Sequence, residues 1–351
     1  MRRRTSFTVT RAALLMFALL GLIAGSSCLP KAPSETSGSV NITLYGFSIM
    51  KESLEKEIFP AFIAKVKREH GVDVRFTSSF AGSETVTNTI LAGVKAQIAI
   101  LSIERDAQRL KDHKDISSDW HTLPQKGIVN KTPFIILVRK GNPKGIHDFP
   151  DLAKPGIKVI HPDPNSSGGA QWSILAIYGS ELVKSEKQSG EPDRARALET
   201  LQAIWRNVIS TGVTPGSARE ARSTFESGYG DALITYELEG LLLKQTGAPV
   251  EIVVPDATIF SEHPAVVIDR NVSTADRPVV DAFMQYLWSE EAQRAFVKFH
   301  FRSSTNEALN QENKELATIK YPFYVDYFGG WNKAYPDVIE GVFREQVQKR
   351  K

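Results

Sequence analysis

Asn165-Ser166-Ser167-Gly168-Gly169-Ala170-Gln171-Trp172 decides how the rest of this 351-residue chain is read. An apolar run, Gly156-Ile157-Lys158-Val159-Ile160, precedes it across the turn His161-Pro162-Asp163-Pro164, and a helical pattern follows from Trp172 to Tyr178. Strand, small-residue turn, helix start: that order aims backbone N–H groups and a hydroxyl at one point. Four amides without an intrahelical acceptor, at the positive end of the helix dipole, make such a point an anion site. A Ser-Gly-Gly helix start also serves as a plain N-cap, so the stretch needs support from elsewhere in the chain.

That support comes from repetition. Short β-rich runs at 41–44, 72–76, 97–101, 134–139, 157–160, 231–236, 250–254 and 265–268 alternate with helical patterns. The helices fall at 51–68, 84–94, 103–111, 169–184, 193–207, 218–227, 238–245, 277–299 and 338–348. Such alternation predicts α/β layers with mostly parallel sheets, and ligands beyond the carboxyl ends of strands. Three more strand-to-helix junctions carry small hydroxyl residues: Gly46-Phe47-Ser48, Thr77 to Ser83 ahead of Glu84, and Pro215-Gly216-Ser217-Ala218. As caps alone they would accept Asp or Asn equally well. Together they read as neutral donors converging on an anion.

The first residues read as a leader. Arg2, Arg3, Arg4 and Arg11 precede an apolar run from Ala12 to Ala24, then Gly25-Ser26-Ser27 and Cys28, the single cysteine. This is the layout of a secretory signal peptide over 1–27, with Cys28 placed for cleavage and acylation in a lipoprotein, although Gly25 stands where that pattern carries Leu, Val or Ile. Residues 28–40, rich in Ser, Pro and Gly, read as a flexible tether. Without the leader's four Arg the balance moves from 43 − 40 = +3 to 39 − 40 = −1, which argues against a nucleic-acid partner.

Catalytic signatures are missing. The chain has no G-x-G-x-x-G, no G-x-x-x-x-G-K-[ST], no H-E-x-x-H and no G-x-S-x-G, and its seven His are scattered. No cofactor, no metal and no enzymatic activity are expected; binding without chemistry remains.

Several long stretches resemble, in order, those of the sulfate/thiosulfate-binding proteins of ABC importers. They are Thr132 to Gly145, Leu152-Ala153-Lys154-Pro155-Gly156, Asn165 to Trp172, Ser217-Ala218-Arg219, Gly230-Asp231-Ala232-Leu233, Glu251 to Pro255 and Phe328-Gly329-Gly330-Trp331. The resemblance implies a monomeric α/β protein with a two-lobed type II periplasmic-binding fold and the ligand cleft between its lobes. It places one lobe at 41–135 plus 250–351 and the other at 136–249, and makes an inorganic oxyanion and a membrane ABC permease the partners. Carried over by motif, Ser167 would give a hydroxyl and an amide, Gly168, Gly169 and Ala218 would give amides, and Ser79 would donate from the other lobe. Ser48 takes the place of the family's first-loop amide, and Tyr236 stands where the family has a Trp donor. Tyr still offers one donor, but Ser48, Ser79 and Tyr236 also resemble molybdate-binding relatives. Glu84 and Glu220 stand where the family has Gly; inside the pocket either would repel sulfate and could accept the proton of hydrogenphosphate, whereas at a solvent-facing helix start either is simply favourable. Molybdate, tungstate or phosphate therefore remain alternative ligands, and an anion sensor or an anion-handling enzyme alternative roles.

Overall fold

The structure, a computed structural model, describes residues 39–349. The leader, most of the tether and Cys28 lie outside the described residues.

The first half of the body is built on three strands, β1 (Ser39–Phe47), β2 (Asp73–Ala81) and β3 (Ile98–Ile100), with β1 parallel to both others. Ile42 and Leu44, two residues apart, point to the same buried face of β1. Helices α1 (Lys51–Ser53) and α2 (Phe59–His70), joined by the π-type turn Leu54–Ile58, follow β1. Gly71, in the left-handed region at φ 69°, ends α2. Helices α3 (Ser83–Leu91) and α4 (Glu104–Asp112) follow β2 and β3.

Two long strands then cross the molecule. One end of β4 (Ile128–Arg139) pairs antiparallel with one end of β8 (Ala257–Val267) through Ile128–Pro264 to Pro133–Phe260. Beyond that overlap β8 continues against β3, while β4 continues against β6 (Ala232–Tyr236) and β7 (Val250–Val253). The short β5 (Val159–Ile160) lies parallel to β6. The strand path is therefore β2-β1-β3-β8-β4-β6-β5, mixed rather than mostly parallel. The antiparallel pairs arise because β4 and β8 both connect the two halves and run in opposite senses. Both strands are longer than the apolar runs suggest, since Pro133 and Pro264 interrupt the pattern without ending the strands.

Helices α5 (Gly168–Ser189), α6 (Arg194–Ile209), α7 (Ala218–Glu226) and α8 (Glu237–Gln245) cover the second half. All but the last turns of α5 are buried all round, from Gly168 to Val183, as expected of a helix in the middle of a core. The pattern at 277–299 resolves into α9 (Arg277–Tyr286) and α10 (Glu290–Lys298), separated where Ser289 caps the second helix. The short elements β9 (Arg302–Ser303), α11 (Glu307–Glu312) and β10 (Tyr321–Phe323) lead to α12 (Trp331–Ala334) and the terminal π-type helix Tyr335–Gln348. These last helices return to the second half, where Trp331 meets Trp172 and Phe343 meets Trp205 edge-on. No helix among the described residues is long and apolar enough to cross a membrane.

Candidate functional site

Three helix starts and two strand ends meet at one place. Ser167 is the N-cap of α5, its Oγ accepting from the amide of Ala170 at 3.4 Å. Ser217 caps α7 in the same way, accepting from Glu220 at 3.2 Å. Gly82 precedes α3 with extended backbone. The Ser166 hydroxyl donates to the carbonyl of Gly216 at 2.8 Å, joining the first two starts. The Thr85 amide donates to the Ser166 carbonyl at 3.3 Å, and the Arg219 amide to Ser48 Oγ at 3.4 Å. Each of these last two bonds runs between an element of the first half and one of the second.

Close approach demands glycine here. A methyl group on Gly82 would overlap the Ser166 carbonyl oxygen and lie 2.6 Å from that of Gly216. One on Gly168 would lie 2.8 Å from Ser102 Cβ and 3.1 Å from Ser83 Cβ; one on Gly169 would lie 2.8 Å from the Tyr236 hydroxyl. The amides of Gly168 and Gly169 open α5, and that of Ala218 opens α7, so none has an i−4 acceptor within its own helix. Ser48, Ser167, Gly168, Gly169, Ala218 and Tyr236 are thus brought together and buried. Ser79 is not: it lies half-buried within β2, opposite Tyr45, and no described contact carries it to this group. Ser83, four residues on, occupies the helix start instead, its Oγ accepting from the Ser102 amide at 3.0 Å and donating to Asp106 at 2.6 Å. Burial, with the Glu84 carboxylate nearby, pushes Asp106 up to about 7.

The charges around the cluster are paired away from it. Glu84 is buried, yet its carboxylate accepts from Arg105 at 3.1 Å, Arg109 at 2.5 Å and Gln171 at 2.9 Å. It faces neither solvent nor a free pocket position. Glu220 is exposed and folds back onto the Gly216 amide at 2.7 Å, completing the start of α7. Arg219 is held between Glu52, just after β1, and Glu239 of α8, while Arg222 reaches the same Glu239 at 3.1 Å. Arg105 also stacks on Tyr335 of the terminal helix at 3.5 Å. Neutral amides and hydroxyls line the cluster itself, a lining that can stabilise an anion only through oriented dipoles.

Ser83 lies in the junction marked by the sequence, where Ser79 was expected to be the contact, whereas nothing in the pattern marked Ser102. Ser102 follows β3 and precedes α4, the strand end where an α/β fold places its ligands; that position was the available signal.

A buried convergence of helix starts between two halves linked by crossing strands is an arrangement suited to a binding protein for a small anion. Residues 42–302 match the family model described as "Bacterial extracellular solute-binding protein". The sulfate-binding protein of Synechococcus elongatus is 31% identical over 350 residues, 97% of each chain. That of Salmonella typhimurium is 34% identical over 83% of this chain and 88% of its own. The thiosulfate-binding protein of Escherichia coli is 31% identical over 83% and 86%. The solved structure of the sulfate-binding protein SubI from Mycobacterium tuberculosis superposes with a TM-score of 0.75 at 28% identity, over 85% of this chain and 99% of that one. The chain belongs to the bacterial extracellular solute-binding proteins and, among them, to the sulfate- and thiosulfate-binding family of ABC importers.

The Gly82 contact gives a direct test of the meeting of the two halves. Gly82→Ala forces Ser166 and Gly216 away, at a cost of about 1–3 kcal/mol. Amide hydrogen exchange at Thr85 and Arg219 should then accelerate by about 10-fold or more while the strands β1 and β4 keep their protection. Unchanged exchange at both amides would show that the contact does not hold the halves together.

Proposed function

We propose that this protein captures a fully ionised tetrahedral oxyanion, sulfate or thiosulfate, and delivers it to an ABC permease. The observation that carries this reading is the neutral, donor-rich meeting of the α3, α5 and α7 starts, in a chain whose relatives are named for these anions. Sulfate accepts hydrogen bonds and donates none. A lining of amides and hydroxyls leaves nothing unpaired, and each bond to the ion contributes ~1.5–3 kcal/mol net. In this reading Ser167 gives its hydroxyl, Gly168, Gly169 and Ala218 give amides, and Ser48 and Tyr236 close the opposite side. Ser83 takes the place expected for Ser79 and gives its backbone amide at the start of α3, since its hydroxyl proton goes to Asp106.

Nothing supports phosphate recognition through Glu84, which already accepts from Arg105, Arg109 and Gln171, or through Glu220, which is exposed and folded onto the Gly216 amide. The two halves act as lobes hinged on β4 and β8, and closure brings the Arg219 guanidinium onto Glu52. The closed surface is what a permease would recognise. Binding and release then need no bond-breaking step, which favours a carrier over an enzyme. The leader 1–27 would direct export, and acylation at Cys28 would hold the mature protein on the outer face of the cytoplasmic membrane.

Calorimetric titration of the ligand-free protein should give one site for sulfate or thiosulfate. Ser167→Ala should weaken it by about 10–100-fold, and Gly169→Ala, which drives a methyl into the Tyr236 hydroxyl, should abolish it. Tight molybdate binding without a sulfate response would contradict the ligand assignment. For the anchor, wild-type protein should fractionate with membranes and Cys28→Ser should release it; a wild-type protein found soluble sinks the anchor.

A further inference from the structure

A cavity of about 660 Å³ lies against the crossing strands, apart from the helix starts. Its walls come from β4, β8, β9, α11 and the loop 313–319, and no residue of the anion cluster lines it. Alternation along β4 accounts for the separation. Asn130 faces His263, which packs edge-on against Tyr236, so Lys131 points to the opposite face, where the cavity is.

The lining carries cations without counter-ions. Lys131 Nζ lies 5.6 Å from the centre of the Tyr324 ring, and neither it nor the exposed Lys314 takes part in an ion pair among the described residues. Glu262 stands opposite Lys131 in register yet forms no ion pair with it. The one carboxylate of the lining, Glu307, accepts from Asn310 at 3.0 Å. Arg302, the neighbour of Lys131 across β4 and β9, is only partly satisfied. Its hydrogen bonds all come from Nη2, to the Glu237 carboxylate at 2.8 and 3.0 Å and to the Ala317 carbonyl at 2.7 Å, while Nε is buried without an acceptor. Buried polar groups are ordinarily paired, so Arg302 holds donors that the fold itself leaves unused.

The same cavity has an apolar side. Phe260 stacks on Tyr324 with ring centres 5.5 Å apart, and Leu316 and Ile319 extend that wall. Its volume falls in the range of small-molecule sites, far more than a tetrahedral inorganic ion fills. Charged side chains beside apolar surface suit an organic anion, with its acid groups on the cations and its hydrocarbon body on the rings. The two unpaired ammonium groups come from different segments, β4 and the loop after α11, which suits two acid groups rather than one.

We propose that this cavity is a second ligand site, which takes a small organic dicarboxylate with one acid group on Lys131 and the other on Lys314. Arg302, anchored by Glu237, adds a donor to the carboxylate at Lys131, and the hydrocarbon spacer lies along Phe260 and Leu316. The site is independent of which oxyanion the helix starts hold.

The experiment is calorimetric titration of wild type, Lys131→Gln, Lys314→Gln and Ser167→Ala with glutarate and with adipate, each with and without saturating sulfate. At least one of the two diacids should bind wild type at a single site, with the same affinity whether or not sulfate is present. Each lysine substitution should weaken that binding by about 10-fold or more, and Ser167→Ala should leave it unchanged. The matching uncharged diol should give no response. Thermal unfolding of each variant at the wild-type midpoint reports that it is folded. Wild type that binds neither diacid overturns the proposal, as do competition by sulfate and unchanged affinity in both lysine variants. Diacid binding with no sulfate response would overturn the sulfate reading and leave this site standing.

Discussion

Everything at this site depends on how closely backbone can approach backbone. The starts of α3, α5 and α7 offer partial positive charge only along the axes of their first amides, and that field falls off within a turn. To act on one ion the three must come within a few ångströms of each other. Side chains at the meeting points would hold them apart, which is why Gly82, Gly168 and Gly169 sit there with no room for a methyl group. The burial of α5 on all sides fixes one start rigidly, and the others are brought to it.

Charge is managed at one remove. A cation inside the pocket would attract any anion, and a carboxylate would repel a dianion. Instead Glu84 is bound by Arg105 and Arg109, and Arg219 by Glu52 and Glu239. Of these pairs Arg219–Glu52 joins the two halves, while Glu84 with its two arginines stays within the first and Arg219–Glu239 within the second. Such buried pairs cost desolvation as well as returning attraction; their geometric role in fixing the walls is the firmer gain. Discrimination then falls to hydrogen-bond sense, donor against acceptor.

Much of this was legible in the sequence. The Ser167-Gly168-Gly169 turn, the Ser217-Ala218 start, Ser48 and Tyr236 could be picked out because each sits at a junction whose local chemistry is set by a strand end or a cap, and the fold sets them near one another. Most strands and helices were legible for the same local reason. What failed was non-local. Ser79 and Ser83 both occupy a hydroxyl-rich junction, and only the register of β2 against β1 shows that Ser79 is still strand. The antiparallel crossing of β4 and β8 depends on chain return over more than a hundred residues. The direction of Glu84 is set by Arg105 and Arg109 from the next helix, a partner choice that no helix-start pattern encodes. Ser102 follows a strand of three residues, too short to draw attention.

The central claim is that one tetrahedral dianion is held by the amides opening α5 and α7. Selenate shares the shape and charge of sulfate and scatters anomalously, so diffraction from crystals grown with it would locate the ion directly. One strong selenium peak is expected, with the selenate oxygens about 2.7–3.2 Å from the amides of Gly168, Gly169 and Ala218. A well-occupied peak elsewhere, with these amides bound only to water, would contradict it.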